Sequence, residues 1–274
     1  MTFFSSGPVH VALIVGALVA VVSGPVGVFT VMRNQSFSGH SLADIGTAGG
    51  AGAYLAGWNV LYGFVAMNLV AAAAMEAAGV RRNRGRDVAT GIVLGASLGL
   101  SALFLHLETR SSTTGATITV LFGSIFTFDS ATVPFVALTA AVALSLVAVL
   151  YRPLLLSTVS PELAAARGVP VGLVGAAYLL ALALAVSLSA VTIGAILSTA
   201  LLVGPAATAL RLTRRPGAAV LAAAGIGVAA TWAGVALSYE SYYWPPEHQG
   251  WPVSFFVVFV ILAGYLVSTL KRRR

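Results

Sequence analysis

Cysteine is absent from all 274 residues, which excludes disulfides, thiolate metal sites and a thiol nucleophile. Lysine occurs only as Lys271, so no G-x-x-x-x-G-K-[ST] phosphate loop is present and the chain has no nucleotide-hydrolysing motif of its own. H-E-x-x-H is missing too, and no paired-carboxylate run offers enzyme chemistry. Charge is scarce altogether, at 8% of residues against 58% hydrophobic. A soluble domain of this length needs a charged exterior, so most of this one must face hydrocarbon. Acidic groups are the scarcer kind, 8 against 15 Lys and Arg, for a net charge of +7. The excess forms no stripe of the sort that binds nucleic acid. It sits in the gaps between apolar runs, which is the pattern of membrane topology. No Lys or Arg precedes Arg33, which argues against a cleaved signal peptide with a basic amino-terminal region, and the first apolar run is expected to remain as a span.

Apolar runs lie at 9–31, 41–57, 59–80, 87–107, 132–151, 170–190, 193–213, 217–238 and 252–270, each about long enough to cross a bilayer with some tilt. They predict an all-α, polytopic transmembrane bundle of about eight to nine spans, one membrane domain over 1–274 in the cell membrane. The gaps holding Arg33, then Arg81, Arg82, Arg84 and Arg86, then Arg152 and Arg167, then Arg211, Arg214 and Arg215, and finally Lys271 to Arg274 are expected to be cytoplasmic. Alternation then puts the amino terminus outside and the carboxyl terminus inside. The far side collects Glu108, Asp129, Glu240, Glu247 and His248. The segment TITVLFGSIFTF at 117–128 is too short to cross and reads as re-entrant or interfacial.

His40 and Asp44 lie four residues apart where a small-residue apolar run begins, and on a helix that spacing shares one face. An ionisable pair at membrane depth faces a bundle interior or a watery path rather than lipid. The pair therefore reads as a pore or ligand site, the alternative being a cap at the cytoplasmic mouth beside Arg33. Glu76 reads as an interfacial partner of the Arg81 cluster. Gly24-Pro25 and Gly204-Pro205 fall inside spans, where each proline removes a backbone hydrogen bond and invites a kink useful for gating. Gly46, Gly49, Gly50 and Gly52 make the segment after Asp44 smooth, either for close packing or beside a solvated path. Gly91, Gly95 and Gly99 recur every four residues and read as ordinary helix packing. The stretch 151–170, YRPLLLSTVSPELAAARGVP, carries its own helix start: Ser160 as N-cap, Pro161 at the first helical position and Glu162 at the positive end of the dipole. A short helix over about 162–167, ended by Gly168, would lie across the cytoplasmic face as a docking element or a connector.

Five stretches, in order, carry a family likeness: GHSLADIGTAGGAGA, LFGS at 121–124, SPELAAARGVPV at 160–171, IGAILSTALLVGPAATAL at 193–210 and ALSYES at 236–241. They resemble the membrane permease of the zinc and manganese ABC importers, the ABC-3 family, over nearly the whole chain. The resemblance implies a bundle of the vitamin B12 importer type and a homodimer of permeases. It also implies a separate ATP-binding subunit docked inside, and an extracytoplasmic binding protein delivering Zn²⁺ or Mn²⁺. On that basis the 151–170 loop, with Ser160, Pro161, Glu162, Arg167 and Gly168, looks like the coupling element, and His40 and Asp44 like transient metal ligands. No cofactor is expected on this chain, ATP being held by the partner. The family's second span typically reads Gly-Asp-x-x-x-His, whereas this chain reads Gly39-His40-x-x-x-Asp44. The exchange moves each ligand type by one helical turn, about 6 Å. It leaves open an ABC permease for a non-metal substrate, and a secondary carrier relaying protons through the pair is the other alternative.

Overall fold

The computed structural model describes residues 7–77, 86–109, 115–123, 125–128, 130–244 and 250–272, and among these the regular structure is helical throughout. In order the helices are α1 (Gly7–Met32), α2 (Ser36–Leu55), α3 (Val60–Ala77), α4 (Arg86–Thr109), the short α5 (Gly115–Phe122), α6 (Val133–Val159), the short α7 (Pro161–Ala166), α8 (Val171–Ile193), α9 (Ala195–Leu212), α10 (Pro216–Ser241) and α11 (Val253–Arg272). Each of the nine apolar runs becomes one long helix. Seven of them are long and apolar enough to cross a membrane, slightly fewer than the eight to nine expected. The two that fall short do so for stated reasons. α2 is diluted by Gly, Ser, His40 and Asp44, and the apolar part of α4 narrows to Gly91–Leu107.

Burial divides the helices. α8 is enclosed almost all round, with every residue from Ala181 to Ile193 buried, as its uniformly apolar sequence requires. α1 packs beside it and against α9 and α10. Small polar groups tie these inner helices together. Ser23 and Ser189 share a hydrogen bond of 2.9 Å, and Asn68 of α3 donates to Ser187 of α8 at 2.9 Å. In hydrocarbon such groups find partners on neighbouring helices, because no water is there to satisfy them.

α8 and α9 are separated only by Gly194 at φ 98, whose backbone touches that of Phe122 at the end of α5. A side chain at Gly194 would be both strained in φ and blocked by that backbone. Gly123, at φ 74, meets the same junction from the other side. α5 and the 3-10 turn at Ile125–Thr127 thus fold against the bundle rather than crossing it, in line with a short re-entrant or interfacial piece. α1 and α9 continue through Pro25 and Pro205.

One expectation is not met. Among the described residues nothing packs against Gly91, Gly95 or Gly99: a Cβ built on any of them meets nothing within 4 Å. Their stripe faces away from α2 and α5, the helices against which α4 packs. Arg81, Arg82, Arg84, Arg110, Asp129, Glu247, His248, Arg273 and Arg274 lie outside the described residues, as do the side chains of Arg86, Glu108 and Lys271.

Candidate functional site

α2 is placed by its glycines. Gly49 of α2 and Gly63 of α3 each present a bare Cα to the other's carbonyl, so the two backbones are in contact. Gly46 and Gly50 lie under the buried Phe64 ring, and a Cβ at Gly46 would come within 2.8 Å of Asn68 Oδ1. Gly52 faces Phe104 of α4 at 3.2 Å. The smooth run after Asp44 is therefore a packing surface for α3 and α4. Fixing one face of α2 in this way presents the other face, with His40 and Asp44, to α9.

His40 sits one turn into α2, 46% exposed, and Asp44 one turn further, 17% exposed. His40 Nε2 and Asp44 Oδ2 are 3.5 Å apart. The other ring nitrogen, Nδ1, is 3.2 Å from Thr199 Oγ1 on α9. When Nδ1 carries the proton and donates it to Thr199, Nε2 turns a lone pair toward the carboxylate, and two electron donors converge on one place. A tetrahedral ion with ligands at about 2.1 Å holds them about 3.4 Å apart, so the pair is spaced for a single cation. Among the described residues no three His, Cys, Asp or Glu side chains converge. This chain alone thus offers two donors, with His40 facing outward from the protomer.

Thr199 was not visible as a site residue in the sequence. It lies in a run of small residues, and nothing in its spacing marks it as the partner of a histidine 159 positions away. Gly24 faces the backbone of α10, with Ala224 N 2.5 Å from a built Cβ, while Gly204 faces Ile261 of α11. Both glycines beside the prolines thus let a neighbouring helix approach closely. Neither they nor the prolines touch the pair. A cavity of about 950 Å³ lies elsewhere, lined by Phe122, Thr192, Tyr239, Tyr242 and Trp251, and it includes neither His40 nor Asp44.

α7 forms as its sequence demands. Ser160 has extended backbone and its Oγ accepts from Leu163 N at 3.3 Å; Pro161 opens the helix and Glu162 occupies its first turn. Arg167 caps the end and Gly168, at φ 78, turns the chain, with Val169 N donating to Ala164 O at 3.0 Å. Ala164 is fully buried and anchors the helix. Pro161, Glu162, Leu163, Arg167 and Gly168 are exposed, so four of the five predicted coupling residues lie on a free face and the fifth, Ser160, holds the start of the helix.

The model of the ABC 3 transport family matches residues 8–265. The chain belongs to that family. It is 30% identical over 83% of its length, and 80% of the relative's, to the manganese transport system membrane protein MntC of Listeria innocua. To the high-affinity zinc uptake system membrane protein ZnuB of Haemophilus influenzae it is 28% identical, over 75% of this chain and 78% of that one. Among solved structures it is similar to PsaBC from Streptococcus pneumoniae in complex with Fab, with a TM-score of 0.84 and 24% identity over 99% of this chain and 95% of that one. That likeness shows the fold. This member of the family is an all-helical membrane transport protein.

Proposed function

We propose that this chain is the membrane-spanning permease subunit of an ABC importer for a divalent metal ion, Mn²⁺ or Zn²⁺, with His40 and Asp44 as transient ligands. The observation that carries the reading is the geometry of that pair: an imidazole nitrogen and a carboxylate oxygen 3.5 Å apart, on a helix whose other face is held by glycine packing. The manganese and zinc systems to which its relatives belong by name support the cargo. Nitrogen and oxygen donors suit both ions. Transport needs weak ligation that can be released. Two donors from each of two copies, meeting across the exposed His40 face, would make such a site.

In this reading residues 1–274 form one permease domain in the cell membrane, its carboxyl terminus cytoplasmic. The exposed face of α7 receives a separate ATP-binding subunit, and a binding protein delivers the ion on the outer side. Gly24-Pro25 and Gly204-Pro205 supply points of flexure for alternating access, since each proline leaves one carbonyl of its helix unbonded. The test is metal uptake and ATP hydrolysis by the chain reconstituted in liposomes with its ATP-binding subunit, titrated with Mn²⁺, Zn²⁺ and Fe²⁺. Stimulation and uptake with one metal, both lost in Asp44→Ala and His40→Ala, are expected. A stable complex indifferent to all three metals would instead mean an ABC permease for another substrate, and failure to form a complex would point to a secondary carrier.

A further inference from the structure

One partly buried arginine stands between the α6–α7 corner and the turn that leads into the His40–Asp44 helix. Arg33 follows α1 directly, its N–H donating to Phe29 O at 2.9 Å. Asn34, at φ 54, turns the chain, and Gln35 N reaches Thr30 O at 2.9 Å before α2 begins at Ser36. This turn is short, and all three of its residues donate backbone hydrogen bonds back into α1. From it the Arg33 side chain crosses to α6, where Nη1 donates to Ser157 Oγ at 3.2 Å and Thr158 Oγ1 at 3.3 Å. Those hydroxyls stand just before Ser160, the cap of α7.

The guanidinium is also 5.3 Å from the centre of the Tyr178 ring on α8. Tyr178 Oη is in turn tied to α1, 2.6 Å from Thr30 Oγ1 and donating to Val26 O at 3.2 Å. Desolvation by burial lowers the Arg33 pKa from its ordinary value while Tyr178 pulls it upward, and the group stays charged. A cation in this position is usually clamped by a carboxylate at about 2.7–2.9 Å. Here two neutral hydroxyls hold it from further away, and Nε has no hydrogen-bond partner. The hydroxyls themselves are committed to Leu154 O, at 3.1 Å from Ser157 and 2.6 Å from Thr158. The contact therefore bridges the two helix corners through these side chains.

We propose that Arg33 is a positioning residue for transport, carrying movement of the α6–α7 corner to the α1–α2 turn and so to His40, one turn into α2. The proposal rests on α7 being the face that the ATP-binding subunit moves. It is tested in the reconstituted complex with R33Q and, leaving the arginine in place, the double variant S157A/T158A. Both are expected to keep hydrolysing ATP while metal imported per ATP falls about tenfold, within the usual range of a coupling between two sites. Equal loss of hydrolysis and uptake, or no loss of either, would overturn it.

A second readout does not depend on the cargo. The chain has no cysteine, so F37C and V159C, at positions 51% and 75% exposed, are the only positions of this chain that accept spin labels, one on each corner. In the otherwise unaltered chain the distance between them should hold steady when ATP is added, because Arg33 makes the corners move together; with R33Q it should lengthen or broaden. An R33Q distance as steady as that of the parent removes the linkage. If no metal is imported by the parent under any condition, the cargo assignment fails while the distance measurement still decides the role of Arg33.

Discussion

α2 and α4 are both rich in glycine at short regular spacing, and the glycines do opposite things. Those of α2 are filled from outside: Gly49 by the Gly63 carbonyl, Gly46 and Gly50 by Phe64. Those of α4 at 91, 95 and 99 meet nothing within 4 Å. A small-xxx-small pattern thus states what a helix surface permits, not what occupies it. The difference comes from the neighbours. α3 supplies its own glycine at the crossing, Gly63, and a buried aromatic at the next position, Phe64, whereas the side of α4 with the stripe is presented to no other described helix.

The comparison breaks most sharply at Gly49. Alanine there sets a methyl against the carbonyl of Gly63 and the Met67 Cβ, and neither backbone can turn aside as a side chain does. A loss of about 3 kcal/mol, the upper end for overpacking a filled interior, is expected. It would be read as a lowered melting temperature in detergent and a fall in monodisperse yield. At Gly46→Ala the nearest atoms are side-chain atoms of Phe64 and Asn68 rather than backbone, so a smaller cost of about 1–2 kcal/mol is expected. Equal effects at the two positions would show that the α2–α3 crossing is looser than its backbone contact implies.

The face of α2 that carries His40 and Asp44 gives a functional contrast within the same helix. Thr199→Val removes the hydroxyl beside His40 Nδ1 but keeps the shape. An outer partner of this kind typically fixes the tautomer and orientation of a ligating ring, so metal affinity should fall about tenfold with the melting temperature unchanged. Isothermal titration with Mn²⁺ and Zn²⁺ checks it. Unchanged affinity would mean that the α9 contact does not orient the histidine. At the α6–α7 corner, Ser160→Ala removes the N-cap bond to Leu163 and should cost about 1 kcal/mol locally, seen as weaker binding of the proposed ATP-binding subunit with metal affinity intact.

Much of this was legible beforehand. The long helices follow from apolar length, since hydrocarbon tolerates no unpaired backbone, and α7 follows from Ser160, Pro161 and Gly168, whose chemistry is local. His40 and Asp44 were readable as a pair because four residues on a helix is a fixed distance. Thr199, Ser157, Thr158 and Tyr178 were not, because each matters through a contact with a residue more than a hundred positions away. The glycines of α4 misled for the same reason: their spacing is local, but their neighbours are not. A single sequence shows which face is smooth and is silent on what comes to lie against it.

The smallest effect sharpens the comparison from the other side. Gly95→Ala adds a methyl to open space and relieves the flexibility of a mid-helix glycine, a gain of about 0.5–1 kcal/mol for a helix interior. The melting temperature of the isolated chain should therefore rise slightly or stay level, the reverse of Gly49→Ala. Gly95→Leu extends the argument, since a bulky side chain facing lipid remains harmless whereas one facing a protein does not. If leucine leaves the isolated chain stable and the assembled importer intact, the α4 stripe faces lipid. If it spares the chain but disrupts the complex, the stripe is covered by another subunit, and the contrast with α2 becomes one between packing within a chain and packing between chains.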